Sequence, residues 1–492
     1  MRRGSRGSRS RGAASVGLLL AGTLIVAACG GDPDSVAGTD GWLVSSDAGW
    51  TRAIGRLPPL PRYALAPRIA PRSGGGVFVG TNVVDEAATA NPDLGVPPSQ
   101  IVLQGLAADG GVDWTLSAEG AEGTYLFDVT SDGEELFAVG SLAGTLSFGG
   151  QVEVSSDGPA LFLVRVGGDG SVRSAVSLAT GAGAVGSDLK IAASGSAIFF
   201  AGSFVGELEL GTQRLAPIES SRDIVIGRLS PAGDVAWVLG AGTAAEDFST
   251  QLSVPDGSDA VTVAFRSDPA AASPNGPPSV TVLSIDAAGR IAWTLAIEGS
   301  SEIEPAAILG PQGDGETLVA LNVEGAFTVD SATLEPELTN PRRRAVVLAI
   351  DEHGGVRTHR SLPGSVFSEI HALSFTPSGA IGVAGVFVGR LDVGGSPTPE
   401  PLDGDRWTDG TAAPTGFVVE LSSIDGDVRA YSFPRLNSRV PLALIIGDTD
   451  SAHLAGEFQT PLDVGAGEIE APDGPTAFVA GTGWTDLFER PR

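Results

Sequence analysis

The 492-residue chain has one cysteine, one methionine, three tyrosines and four histidines. A single cysteine rules out an intramolecular disulfide, so stability must come from a core and from closure of the fold. The histidines are His353, His359, His371 and His453. His353 and His359 lie across one expected hairpin, but no Cys or third His joins them, and a zinc site is not expected. Basic side chains are also scarce: 30 Lys and Arg stand against 59 Asp and Glu, a formal net charge of −29. Such a surface repels nucleic acid and anionic lipid. Long helix-forming stretches are missing, because 69 Gly and 33 Pro interrupt the chain. Few windows place apolar residues at 3.6 spacing, whereas short alternating runs such as "AIFFAGSF" recur. An all-β protein is expected.

What is present begins with the N-terminus, "MRRGSRGSRSRGAASVGLLLAGTLIVAACGG". Five arginines without an acid precede an apolar stretch from Val16 to Ala28, the layout of a secretory signal and too short for a membrane span. Val26-Ala27-Ala28-Cys29 resembles the lipobox of bacterial lipoproteins, and Cys29 is the only cysteine. The resemblance implies a signal peptide at 1–28, lipidation of Cys29, and a flexible tether at 29–40, "CGGDPDSVAGTD". It further implies attachment to the bacterial cell envelope through the lipid alone. Gly30 and Gly31, with no Asp after the cysteine, point to the outer membrane.

Residues 41–492 carry a repeat. Gly80, Gly140, Gly202, Gly385 and Gly456 hold the same place in "FVGTNV", "AVGSLAG", "AGSFVG", "AGVFVG" and "AGEFQT". Weaker copies at 260–268 and 317–329 fill the gap and set a period of about 60 residues. Each period reads as four short strands, the last two a hairpin around a glycine: Gly111, Gly170, Gly233, Gly289, Gly355 or Gly426. Four-stranded units repeated radially are β-propeller blades. First-and-second-strand pairs begin near 66, 124, 188, 249, 304, 369 and 440, which predicts seven four-stranded antiparallel blades. The hairpin "GWLVSSDAGWTRAI" precedes any first strand, so N-terminal strands are expected to close the last blade, with "WTDLFER" as the competing fourth strand. Closure removes open sheet edges.

"SGSAIFFAGSFVGELELG" followed by "SRDIVIGRLSPAGDVAW" resembles the bacterial SBBP-type β-propeller repeat. That resemblance implies a fold and an exported life, and no single activity. The fourth unit departs most, lacking the glycine and carrying "SDPAAASPNGPP".

Other motifs have plainer readings. Trp50, Trp114, Trp237 and Trp293 each follow a hairpin turn, and packing between blades accounts for them better than a quinone site. Trp50 directly after Gly49 departs from the Asp-box of sialidase propellers, and "SSDAGWT" reads as a hairpin turn. Acidic turns at 130–135, 403–410 and 447–451 lack the calcium-loop spacing. "PRRRA" (341–345) reads as a solvated basic loop. Insertions at 82–98 and 396–415 are the places to look for a binding site. No catalytic constellation, metal or cofactor site emerges. The expected function is a monomeric, lipid-anchored, non-enzymatic binding or scaffolding propeller whose partner is an envelope protein or a glycan. The alternative is a carbohydrate-active or other hydrolase or lyase with carboxylate pairs in the channel.

Overall fold

A computed structural model describes residues 43–46, 49–56, 67–84, 99–120, 124–180, 184–185, 188–218, 221–255, 257–269, 276–312, 315–329, 332–334, 343–394, 401–404, 411–433, 442–447, 451–458, 461–462, 464, 469 and 476–489. The leader 1–28, Cys29 and the tether 29–40 lie outside them.

The described chain is all-β in a propeller arrangement, apart from a 3-10 turn at Ser73–Gly75 and a six-residue helix at Trp484–Glu489. Its strands form antiparallel four-strand meanders. Meander I is Arg68–Arg72, Gly76–Val84, Ser99–Leu106 and Val112–Gly120. Meander II is Tyr125–Ser131, Glu135–Phe148, Val152–Gly167 and Val172–Thr180. Meander III is Lys190–Ser194, Ala197–Val205, Arg222–Leu229 and Val235–Ala241. Meander IV is Glu246–Ser253, Val261–Asp268, Ser279–Ile285 and Ile291–Gly299. Meander V is Ile303–Gln312, Glu316–Val323, Arg344–Ile350 and Val356–Leu362. Meander VI is Phe367–Phe375, Ile381–Val388, Pro414–Leu421 and Val428–Phe433. Meander VII takes Ala443–Ile446, Ser451–Phe458 and Thr476–Gly483 from the C-terminal part of the chain and Gly49–Arg56 from the N-terminal part.

Sheet pairing corrects the expectation of seven separate blades: five stand as separate sheets of four to six strands. Meanders I and II are fused in one ten-stranded sheet. The cause is the length of Glu135–Phe148, whose far end runs beyond its own meander and pairs with Val112–Gly120, Phe148 lying opposite Ala118.

Residue pattern explains the layering. Second strands such as Ala197–Val205 are buried almost throughout, while fourth strands such as Val112–Gly120 alternate between exposed and half-buried positions. First strands touch their neighbours in order: Arg68–Arg72 touches Tyr125–Ser131, contact continues from meander to meander, and Ala443–Ile446 touches Arg68–Arg72 again. These inner strands are sheet edges, and neighbouring side chains satisfy their free backbone groups. Ile191 N–H donates to Asp128 (3.1 Å), Ala193 N–H to Thr130 (3.1 Å), Gly310 N–H to Ser253 (2.7 Å) and Ile446 N–H to Ser374 (3.1 Å).

The repeated glycine is a clearance. A Cβ at Gly140 would stand 1.9 Å from the Tyr125 carbonyl oxygen, and at Gly385 2.0 Å from that of Glu369. In "AGSFVGELELG", Phe204, Leu208 and Leu210 are buried as the alternation requires. Meander IV has Phe265 where five of the other six have glycine, meander V lacking it too; in its first strand the register slips between Phe248 and Gln251, and Ser249 takes φ 55°. Ser249 is the one non-glycine positive φ among the described residues.

The tryptophans lock neighbours, as packing requires. Trp50, Trp114 and Trp237 donate their indole N–H to Ala108, Gly168 and Ala287 carbonyls (2.8, 2.8 and 3.2 Å) in the next meander's hairpin. Each ring lies on a left-handed hairpin glycine, Gly110, Gly170 or Gly289, and Trp293 lies likewise on Gly354. In meanders I and V the left-handed residue is therefore Gly110 and Gly354 rather than Gly111 and Gly355. Where Thr358 replaces the indole, its hydroxyl reaches Asp425 of the next hairpin (3.0 Å).

The competition for the last strand is resolved by pairing. Gly49–Arg56 pairs with Thr476–Gly483, Trp50 opposite Gly481, and Leu43–Ser46 adds a fifth strand. "WTDLFE" is helix, with Trp484 buried and its indole N–H donating to Glu420.

Candidate functional site

Because strands alternate in direction, the first strands begin on the same face from which second-to-third connections emerge. Residues 85–98, 395–400 and 405–410, the bulk of the two insertions, lie outside the described residues, but their flanking strands bring both connections to this face.

A charged cluster stands there between meanders IV, V and VI. Arg343 reaches Glu304 through Nη2, Glu369 through Nε (3.1 Å) and Glu302 through Nη1 (3.7 Å). Arg266 pairs with Glu302 (3.3 Å) and Asp268 (2.7 Å), and Ser249 Oγ donates to Glu304 (3.2 Å). His371 occupies a bulge between Ile370 and Ala372. Its Nδ1 accepts Leu442 N–H (3.1 Å), so the ring proton sits on Nε2, 3.5 Å from Glu369. Burial alone would raise the Glu369 carboxyl, but the His371 hydrogen bond and the Arg343 charge outweigh it and hold it below the usual range.

This arrangement corrects the reading of "PRRRA" as a solvated loop. Residues 341–342 lie outside the described residues, but Arg343 is bound by glutamates and Arg344 is buried, donating to the Gly325 carbonyl (2.9 Å).

Among meanders I to III, near the start of their first strands, Arg68, Asp128, Asp188 and Lys190 come together. Arg68 donates to the Phe127 carbonyl (3.0 Å) and lies 3.9 Å from Asp128. Asp188 accepts four bonds, from N–H and hydroxyl of Ser203 (3.2 and 2.7 Å) and of Thr250 (3.2 and 3.1 Å). Burial pushes the Lys190 amine down to about 8; the Arg68 charge acts in the same direction, and Asp128 and Asp188 oppose it. Sequence reasoning missed Lys190. A compositional signal was available, since it is the only lysine in the chain.

At the opposite end, where first strands finish, a cavity of about 370 Å³ is lined by Ser253, Pro255, Gly310, Ser374, Thr376 and Ile446. Two of its hydroxyls already accept backbone N–H groups.

A carboxyl held above its usual range is that of Asp247, raised by burial despite bonds from Ser267 and Thr243, with Asp223 nearby adding to the rise. It is fully enclosed between meanders III and IV and does not open on the channel.

The remaining candidates are placed as follows. His359 lies opposite Leu348, not across from His353, which is exposed at the turn beside Glu352. His453 is buried against Trp50, ring centroids 5.9 Å apart. In the 130–135 turn, Asp132 accepts the N–H groups of Glu134 and Glu135 (3.0 and 2.8 Å), and Glu135 pairs with Arg165 (2.5 Å). The 403–410 and 447–451 turns lie largely outside the described residues. Among the described residues no group of three His, Cys, Asp or Glu converges as metal ligands, and no helix is long and apolar enough to cross a membrane.

No family model matches the chain, and no curated protein matches it. Among solved structures it is similar to the phage phi92 endosialidase, at 10% identity and a TM-score of 0.37, over 90% of this chain and 69% of that one. It is also similar to the parainfluenza virus 5 hemagglutinin-neuraminidase ectodomain, at 9% identity and a TM-score of 0.28, over 62% of this chain and 83% of that one. At these values neither bears on the chemistry of the site.

Proposed function

We propose that the protein is a lipid-anchored propeller of the bacterial envelope that binds a protein or glycan partner on the face where the first strands begin. The observation that carries the binding reading is the Arg343 clamp: Glu304 and Glu369, the carboxylates best placed at this mouth, share one guanidinium. Glu369 is held anionic, whereas glycoside hydrolysis asks one carboxyl of a pair to stay protonated as the acid. A mouth whose carboxylates are tied up by shared guanidiniums suits recognition. The ten-stranded sheet is read as supplying two blade positions, which makes the ring of first strands seven-fold. Cys29, after a leader at 1–28, carries the lipid, and the tether 29–40 holds the propeller away from the membrane, without nucleic acid as partner.

Hydrolase action on a glycan is the second reading, favoured by the same two carboxylates facing one channel. A single experiment separates the readings: the protein beginning at Gly30 is applied to immobilised envelope glycans and proteins, and turnover is followed alongside retention. Retention without product supports binding. Product formation that Glu304→Gln or Glu369→Gln abolishes supports the hydrolase. Palmitate labelling that persists in Cys29→Ser overturns the anchor.

A further inference from the structure

The cavity of about 370 Å³ where the first strands finish is walled by four consecutive meanders, IV to VII. Its size is that of a small-molecule site, roughly 300–1,000 Å³. None of its lining residues is ionisable. In a chain with 30 basic and 59 acidic residues such a wall is selective, because an ion entering it would shed water and meet no counter-charge.

The polar groups of the wall are hydroxyls held in place by backbone. Ser253 Oγ accepts the Gly310 N–H (2.7 Å) and Ser374 Oγ the Ile446 N–H (3.1 Å), so each serine is tied to the first strand of the next meander. Each hydroxyl still has its own proton to give. Among the described residues Ser253 has no acceptor for it. Ser374 reaches only the Phe375 carbonyl at 3.4 Å, well beyond the ~2.7–2.8 Å of a good O–H···O bond. Thr376 is already committed to its own turn, with Ser378 (2.8 Å) and the Ala380 N–H (2.9 Å). Around the two free donors the lining side chains Pro255, Leu309, Phe375, Pro377 and Ile446 are carbon only. A Cβ at Gly310 would stand 2.8 Å from Pro255 Cγ, so meanders IV and V meet there without a gap.

We propose that this cavity binds one neutral sugar unit, an uncharged hexose ring whose oxygens accept from Ser253 and Ser374. A hexose ring has counterparts for both parts of the wall: oxygens around its rim for the two hydroxyls, and C–H groups on its faces for Phe375 and the prolines. A sugar acid or an amino sugar would bring a charge that nothing in the lining balances. The cavity lies at the opposite end of the ring from the Arg343 clamp, so the proposal goes beyond both readings above and depends on neither.

The test titrates the full chain with glucose, galactose, mannose and N-acetylglucosamine, read by saturation-transfer NMR. Glucuronate, glucosamine and glycerol serve as comparisons. At least one of the four neutral sugars should saturate the protein, with all three comparison compounds weaker. Ser253→Ala should weaken that sugar about fivefold, the worth of one neutral hydrogen bond, and Ser253→Thr, which keeps the hydroxyl, should restore most of the loss. Pro377→Trp, at an exposed position on the cavity rim, should block binding with circular dichroism unchanged, and it decides the matter if Ser253→Ala does not fold. The proposal is overturned if none of the four sugars saturates, or if glucuronate, glucosamine or glycerol binds as tightly. Binding undiminished in a folded Ser253→Ala or Pro377→Trp protein overturns it too, by placing the sugar elsewhere on the molecule.

Discussion

At the residue scale, the buried His453 makes the clearest statement about pH. It sits on the second strand of meander VII against Trp50, and burial pushes its imidazole down to about 4 from an ordinary 6.5. The unfolded chain therefore binds a proton at this site in a range where the folded chain does not. Stability from this group is fully present above pH 6.5 and falls as pH drops toward 4, by about 3 kcal/mol if the whole shift counts. Urea midpoints measured from pH 7 to pH 4 should decline, and His453→Gln should flatten that part of the decline. An unchanged slope in the variant would assign acid sensitivity elsewhere. Glu369 runs the other way in origin: its carboxyl is depressed by His371 and Arg343, so its contribution too is lost as acid protonates it.

At the element scale, the joints between meanders rely on a few polar side chains. Asn322, buried on the second strand of meander V, donates to the Ile370 carbonyl (3.0 Å) and accepts the Ile370 N–H (2.9 Å) on the first strand of meander VI. Asn82 does the same to Leu126 between meanders I and II (2.9 and 2.8 Å). Removing either amide leaves a backbone donor and acceptor unpaired inside the ring. Asn322→Ala should cost about 2–3 kcal/mol in urea unfolding, and with the two joints far apart the double variant with Asn82→Ala should lose the sum. Sequence shows these joints poorly, since an asparagine in a strand has no spacing that names its partner. It shows the strands well. First strands begin at Arg68, Tyr125, Lys190, Glu246, Ile303, Phe367 and Ala443, within three residues of the positions read from glycine and alternation. Local patterns report local pairing. The channel charges were not legible for the same reason: Glu304, Arg343 and Glu369 belong to different strands, and no motif links them until the ring brings their ends together. The fusion of meanders I and II was equally hidden, because it depends on how far one strand runs past its partner.

At the scale of the whole molecule, the ring is held shut by Gly49–Arg56 lying on Thr476–Gly483. A protein lacking residues 43–56 should expose the Thr476–Gly483 edge and self-associate through it. Light scattering together with hydrogen exchange at 476–483 checks this; a monodisperse protein with undiminished protection there would show that the ring closes without the N-terminal strand. Meander VII also sets an order in time. Its outer strand precedes meanders I to VI in the chain and its three inner strands follow them, so Gly49–Arg56, paired locally only with Leu43–Ser46, keeps one edge waiting until all six have been made. Six meanders can complete themselves from contiguous chain, but the seventh cannot. The slowest folding event is then expected at the seam between Trp50 and Gly481, a pairing of extreme sequence separation. A folding helper would have that waiting edge as its natural client.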